Sequence, residues 1–247
     1  MIAREKTRVQ ILLAVSVFLV LISFRGPQPW RQVLYQVSTM AALEQGDYAG
    51  RISIHNLRRM GDFGLGTFEG LDGEMIVLAG RIYQVTVDGA VHQAQDSMRS
   101  PFAVVIRFEN KPPVALEESL SLSELEGKLD QMLADQDKIY AIKIEGEFSR
   151  VQARSVPRQP KPYPPLSTAI KSQQIFELQD QTGTMAGFWF PKFMSGVNAP
   201  GYHFHFLSRD RQAGGHLLDC RAQKVKIFID RIEQFHLLLA DSAAKEN

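Results

Sequence analysis

Apolar and polar positions follow two rhythms along this chain. Between residues 61 and 108, short apolar runs punctuated by glycine recur at 64–68, 74–79, 81–87 and 101–108, the pattern of strands bounded by turns. The Asp88-Gly89 pair between Val87 and Ala90 suits a tight hairpin. The rhythm then changes: Leu122, Leu125, Leu129, Met132 and Leu133 recur three and four apart, which predicts a helix over 120–133 with Ser123 placed to cap it. Strands resume at 140–144 and 148–156. A proline-rich link over 157–165 and a short helix from Leu166 follow, then strands at 175–178 and 184–190, a hairpin across 201–220, and a strand at 224–232. Ahead of all these, residues 33–43 mix strand and helix, a glycine-containing turn covers 46–50, and a short amphipathic helix covers 53–60. The pattern predicts an α/β protein of the α+β type, two sheet-based halves with few helices. The proline link is the candidate boundary, giving halves at 30–156 and 157–247, although extended proline segments also pack inside domains. No internal repeat is present.

The first residues read differently. Arg4, Lys6 and Arg8 precede an uncharged apolar run over 11–24, the basic start and short hydrophobic core of an export signal. The run is short for a membrane span. Arg25-Gly26-Pro27-Gln28-Pro29 offers no pair of small residues for cleavage, so an uncleaved signal-anchor with the body outside the cytoplasm also fits. Residues 1–29 are therefore expected to export the chain to the periplasm or exterior, and to be its only contact with a membrane.

With 247 residues and 45% hydrophobic content, the chain can bury a substantial core. A net charge of +1, with no basic patch interleaved with aromatics, excludes a nucleic-acid footprint. A single cysteine excludes an internal disulfide.

The clearest chemistry is in the hairpin. Three of the six histidines fall in Gly201-Tyr202-His203-Phe204-His205-Phe206-Leu207-Ser208 and Gly214-Gly215-His216. Residues two apart on a strand share a face about 6.6 Å apart, so His203 and His205 can converge while Phe204 and Phe206 point away. A returning strand from His216 would add a third nitrogen. Three neutral imidazoles suit zinc and leave a position open for water or substrate. Sheet histidines bonded to backbone are the alternative, but three on one hairpin need a reason. Cys220 lies about 13 Å along the strand from His216, too far for the same ion, and reads as a core residue. His55, His92 and His236 stand alone and read as surface or packing residues.

Two more residues offer an acid and a positive charge. Glu74 heads an apolar strand after the turn Gly70-Leu71-Asp72-Gly73, where it could bind a metal or carry protons; an exposed glutamate at a strand start is the plainer reading. Arg154 alternates with Val151 and Ala153 and could hold a carboxylate in two-point geometry; a solvated strand residue is again the plainer reading.

The chain resembles a known family. The segments Tyr35-Gln36-Val37-Ser38-Thr39-Met40, Gly61-Asp62-Phe63-Gly64-Leu65-Gly66-Thr67-Phe68, Leu71-Asp72-Gly73-Glu74, Arg99-Ser100-Pro101-Phe102, Tyr140-Ala141-Ile142, Lys161-Pro162-Tyr163 and the histidine hairpin are similar, in order and spacing, to the alpha-acetolactate decarboxylases over roughly residues 33–232. The resemblance implies zinc on His203, His205 and His216, Glu74 and Arg154 as catalytic residues beside it, and Thr67 with Arg154 lining the substrate pocket. It implies a two-part fold with the zinc in the C-terminal part, and a homodimer. The implied reaction is zinc-dependent decarboxylation of 2-acetolactate, a small 2-hydroxy-3-oxo acid, to acetoin. It also implies a second glutamate on a returning C-terminal tail, and Glu246 is the carboxylate in that region. The tail after Leu239 is shorter than the resemblance implies. Two other readings stay open: a three-histidine zinc-hydroxide enzyme such as a hydratase or hydrolase, and a non-catalytic, membrane-anchored relative that binds a small ligand, which the short tail favours.

Overall fold

The computed structural model describes residues 33–239. The leader read at 1–29 and the carboxylate Glu246 lie outside them. In chain order the elements are β1 (Val33–Val37), α1 (Met40–Glu44), β2 (Ile52–Ser53), α2 (Ile54–Met60), β3 (Phe63–Thr67), β4 (Glu74–Leu78), β5 (Arg81–Val85), β6 (Val91–Gln93), β7 (Arg99–Ser100) and β8 (Ala103–Ile106). Then come β9 (Val114–Leu116), β10 (Leu120–Ser121), α3 (Leu122–Met132), β11 (Tyr140–Ser155), α4 (Leu166–Ala169), β12 (Gln174–Phe190), β13 (Gly201–Ser208), β14 (Gly214–Arg231) and β15 (Gln234–Leu238). The strand-rich, helix-poor α+β character read from the sequence is what the chain adopts.

Two sheets carry the structure. The first runs β15-β1-β8-β3-β4-β5-β6 and is antiparallel except where β15 lies parallel to β1. In the second, β11 lies between β12 and β14, β13 pairs with β12, and β13 pairs again with the start of β14, so these four strands close on themselves. The closing pairing covers three positions of each strand, 205–207 of β13 with 214–216 of β14, and so fixes His205 beside His216. β9 and β10 pair with β14 outside this ring.

Alternation along the strands sorts side chains into three cores. Leu65, Ile76, Leu78, Val85, Val104 and Ile106 of the first sheet pack against Ala141, Ala186, Phe188, Phe190 and Leu207 of the second. Met75, Val77, Ala103 and Val105 face the other way and pack with Ile54 and Leu57 of α2. Within the second sheet, Ile142, Phe148, Val151, Phe204 and Phe206 pack with Leu125 and Leu129 of α3. β4 is buried at every position because both of its faces are covered, which explains its unbroken apolar run.

Three boundaries differ from the sequence reading. The runs at 140–144 and 148–156 are one strand, as are 175–178 with 184–190, and 216–220 with 224–232. Their polar middles look like loops in sequence but face solvent on long strands. β11 carries bulges near Phe148, and Gly146 lets β14 approach so closely that a Cβ there would lie 2.0 Å from the Lys224 carbonyl oxygen. Ser121, not Ser123, caps α3: its hydroxyl accepts from Glu124 N–H and the Glu124 carboxylate accepts from Ser121 N–H. Both serines have a glutamate three residues on, but Ser121 leaves β10 with the extended backbone that a cap requires.

The proline link at 157–165 does not separate the sheets. β11 before it and β12 after it are neighbours along nearly their whole length, and the chain changes sheet between β8 and β9 instead. Prolines cannot donate to a ladder, so the link leaves the second sheet. It then packs on the turn before β4, where Gly73 N–H donates to the Val156 carbonyl and Gln159 N–H to that of Gly70. Among the described residues, no helix is long and apolar enough to cross a membrane.

Candidate metal centre

β13 sends Phe204 and Phe206 into the aromatic core of the second sheet, so its odd-numbered side chains face the first sheet. His205 is buried there and His203 partly buried. The hairpin after Ser208 is held by the Ser208 hydroxyl, which accepts from Gln212 and Ala213 N–H. Gly214 and Gly215 then start β14. Gly215 has φ +142°, and a Cβ on it would lie 2.5 Å from the Arg154 carbonyl oxygen, so only glycine lets β14 enter between β13 and β11 here. His216 follows at once, in register with His205 on one side and Arg154 on the other.

The three rings converge. His216 Nδ1 lies 3.2 Å from His203 Nε2 and 3.3 Å from His205 Nε2, and one nitrogen from each ring lies within 4.8 Å of the others. His205 Nδ1 lies 2.8 Å from the Met75 carbonyl oxygen of β4. An oxygen there can only accept, so Nδ1 carries the proton and Nε2 turns a lone pair toward its neighbours. Burial holds His203 down to about 4, with Arg154 adding to the effect. Burial, reinforced by the neighbouring rings and Arg154, keeps His205 and His216 well below the ordinary imidazole value. All three are thus neutral at pH 7, the form that ligates metals.

Glu74 and Thr67 are cross-strand partners on the face of the first sheet turned toward the histidines. Glu74 Oε2 lies 3.5 Å from His205 Nε2. Glu74 is 8% exposed, and burial raises its carboxyl pKa to about 7 against the opposing pull of Arg154. Thr67 donates from Oγ1 to the Gly73 carbonyl at 2.7 Å, closing the turn that delivers Glu74. Arg154 donates from Nη1 to Gln173 Oε1 at 2.8 Å. All six side chains line one cavity of about 350 Å³, whose remaining wall includes Met40, Leu43, Phe102, Leu166 and Ile170. Among the described residues, this arrangement places three histidines able to hold a metal ion, a carboxyl group that titrates near neutrality and a guanidinium in a largely apolar cavity.

The structure therefore brings together His203, His205, His216, Glu74, Arg154 and Thr67. Cys220 is buried in the second sheet, its thiol pushed up to about 12 first by burial and then by Asp219. His55 sits near Asp96 at the surface, and His236 packs edge-on against Tyr35. Sequence reading missed Gln173, the Met75 carbonyl and the apolar wall. A carbonyl carries no side-chain signal, and a glutamine after a short helix, here one of the pair Gln173-Gln174, has no distinctive spacing.

The sequence profile described as Alpha-acetolactate decarboxylase matches residues 34–245. The chain belongs to that family. An alpha-acetolactate decarboxylase of Methanosarcina mazei is 48% identical over 198 residues, covering 80% of this chain and 69% of the relative. One from Bacillus subtilis is 36% identical, covering 87% and 84% of the two chains. The crystal structure of alpha-acetolactate decarboxylase from Bacillus subtilis strain 168 superposes with a TM-score of 0.83 at 36% identity, covering 85% of this chain and 90% of that one. A Staphylococcus aureus structure described as similar to the family gives a TM-score of 0.82 at 29% identity, covering 84% and 89%.

Proposed function

We propose that this chain decarboxylates 2-acetolactate to acetoin with zinc held by His203, His205 and His216. The observation that carries the reading is the convergence, among the described residues, of three neutral imidazole nitrogens beside the Glu74 carboxyl and the Arg154 guanidinium in one cavity. The donor set fits zinc: nitrogen ligands of borderline softness, three in number, with the His205 ring fixed by a backbone acceptor. Zinc bound there would supply Lewis acidity toward the charge that develops as carbon dioxide leaves.

The chain's own groups do the rest. Arg154 takes the substrate carboxylate by charge-assisted hydrogen bonds and fixes which carbon–carbon bond faces the apolar wall. That bond breaks, carbon dioxide departs, and its electron pair stays on the remaining fragment as an enediolate. Glu74, with a pKa of about 7, is protonated in a useful fraction near neutrality and delivers the proton to carbon that completes acetoin. Leu43, Phe102 and Ile170 exclude water, which strengthens each electrostatic contact. Glu246 acts as a second carboxylate in the same reaction. The basic and apolar leader at residues 1–29 exports the protein and holds it at the membrane, and the working form is a homodimer, as the family resemblance implies.

The test is release of carbon dioxide and acetoin from racemic 2-acetolactate by the full chain loaded with zinc. Stoichiometric release of both is expected. A folded, zinc-containing protein that forms neither overturns the reading.

A further inference from the structure

Arg154 is held in an unusual way for a cavity arginine. Among the described residues its one hydrogen-bond partner is Gln173, at Nη1, and its Nε is buried with no partner at all. Among the described residues no carboxylate is hydrogen-bonded to it. A guanidinium has one edge, Nε with Nη2, that offers two parallel N–H groups on the side away from Nη1. Gln173 occupies Nη1 and Nε is enclosed, which leaves Nη2, without a hydrogen-bond partner among the described residues, as the donor open to a ligand.

Gln173 is itself well placed to be a fixed point. It ends the turn that follows α4, its backbone N–H donates to the Ile170 carbonyl, and β12 begins at the next residue, with Ile175 in register with Arg154. α4 and this turn supply Leu166 and Ile170 to the cavity wall. A glutamine, unlike a glutamate, anchors the guanidinium without neutralising its charge.

We infer that Gln173 is a positioning residue, a neutral pin on Nη1 that holds the Arg154 guanidinium, at full charge, in the cavity wall for the carboxylate of the substrate. The inference rests on the proposed reaction for the identity of that carboxylate.

The experiment uses the full zinc-loaded chain and two probes: 2,3-dihydroxy-2-methylbutanoate, which keeps the substrate's skeleton and carboxylate but lacks the ketone needed for decarboxylation, and acetoin, which lacks the carboxylate. Both are titrated by calorimetry into wild type, Gln173→Glu and Gln173→Met. Removing one charge-assisted interaction corresponds to roughly tenfold in affinity or more. Gln173→Glu should therefore weaken the carboxylate probe at least about tenfold and acetoin less than about twofold, with zinc content unchanged. Gln173→Met, which loses the pin but adds no charge, should show the same selectivity to a smaller degree and serves if the glutamate variant does not fold. A general structural role would weaken both probes together, and that result, or unchanged carboxylate affinity in Gln173→Glu, overturns the inference. Wild-type turnover of 2-acetolactate is measured alongside: selective loss of carboxylate binding without any wild-type turnover upholds the pin and removes the proposed reaction, whereas turnover with unselective binding removes the pin alone.

Discussion

Gly187 sits on β12 directly opposite Phe204, between the two clustered histidines of β13, His203 and His205. A Cβ added there would lie 2.2 Å from Phe204 Cδ1 and 2.4 Å from the His203 carbonyl oxygen. The phenyl ring can turn aside, but the carbonyl belongs to the β12–β13 ladder and cannot. Ordinary contact begins near 3.4 Å, so Gly187→Ala must push β13 away by about 1 Å at His203. Overpacking of this kind costs about 1–3 kcal/mol. At about 2–4 °C per kcal/mol for a domain of this size, Tm should fall by roughly 2–12 °C. The effect on metal should be sharper, because ligand positions tolerate only about 0.2 Å, and a misplaced ligand shell typically loses about 10–100-fold in affinity. Chelator competition for zinc, with melts of the loaded and metal-free forms, measures both. Gly127→Ala is the control: it lies in α3 with nothing within 4 Å of its Cβ, and should raise stability by up to about 1 kcal/mol without touching zinc affinity. Zinc affinity within about twofold of wild type in Gly187→Ala, with an unchanged Tm, would refute the claim that β12 spacing sets the ligand geometry.

Other perturbations separate the roles of the parts. Glu74→Gln should keep zinc yet lose most turnover, and turnover at the wild-type rate would remove Glu74 from the mechanism. Ser121→Ala breaks the capping box of α3 and should cost about 1 kcal/mol in denaturant melts while leaving zinc affinity unchanged; a shift in zinc binding would contradict the assignment of α3 to packing alone. The triad histidines are held below the ordinary imidazole value of 6.5, His203 to about 4, so the unfolded chain takes up protons at higher pH than the folded one. Their contribution to stability in the metal-free protein is therefore complete above pH 6.5 and is lost as pH falls toward 4. Thermal melts across that range should slope accordingly, and His203→Gln should flatten part of the slope; parallel slopes for both proteins would contradict it.

How much was legible in the sequence follows from what each feature depends on. The ligand triad could be read because period-two alternation and a glycine-rich turn fix which side chains of a hairpin share a face, and His203, His205 and His216 obey that rule locally. For Glu74 and Arg154 the local pattern favours solvated strand residues, and only the family resemblance places them beside the histidines. Their burial arises from the packing of one sheet on the other, and no local pattern encodes that contact. Strand ends were misplaced where β11, β12 and β14 run on through polar residues, since solvent-facing stretches of a long strand have the composition of loops. The proline link was read as a boundary because proline leaves ladders. Yet β11 and β12 re-pair across it, a non-local choice made by the closure of the second sheet. The capping serine was misplaced by two residues because the deciding fact is the pairing of β10 with β14 far along the chain.

The most direct test of the central claim is acetoin formation from 2-acetolactate as zinc is titrated into the metal-free full chain, with His203→Ala treated in parallel. The account predicts activity that rises linearly to one zinc per chain and then stays level, with no activity in His203→Ala at any zinc concentration. Activity that is indifferent to zinc, or that survives loss of His203, would contradict it.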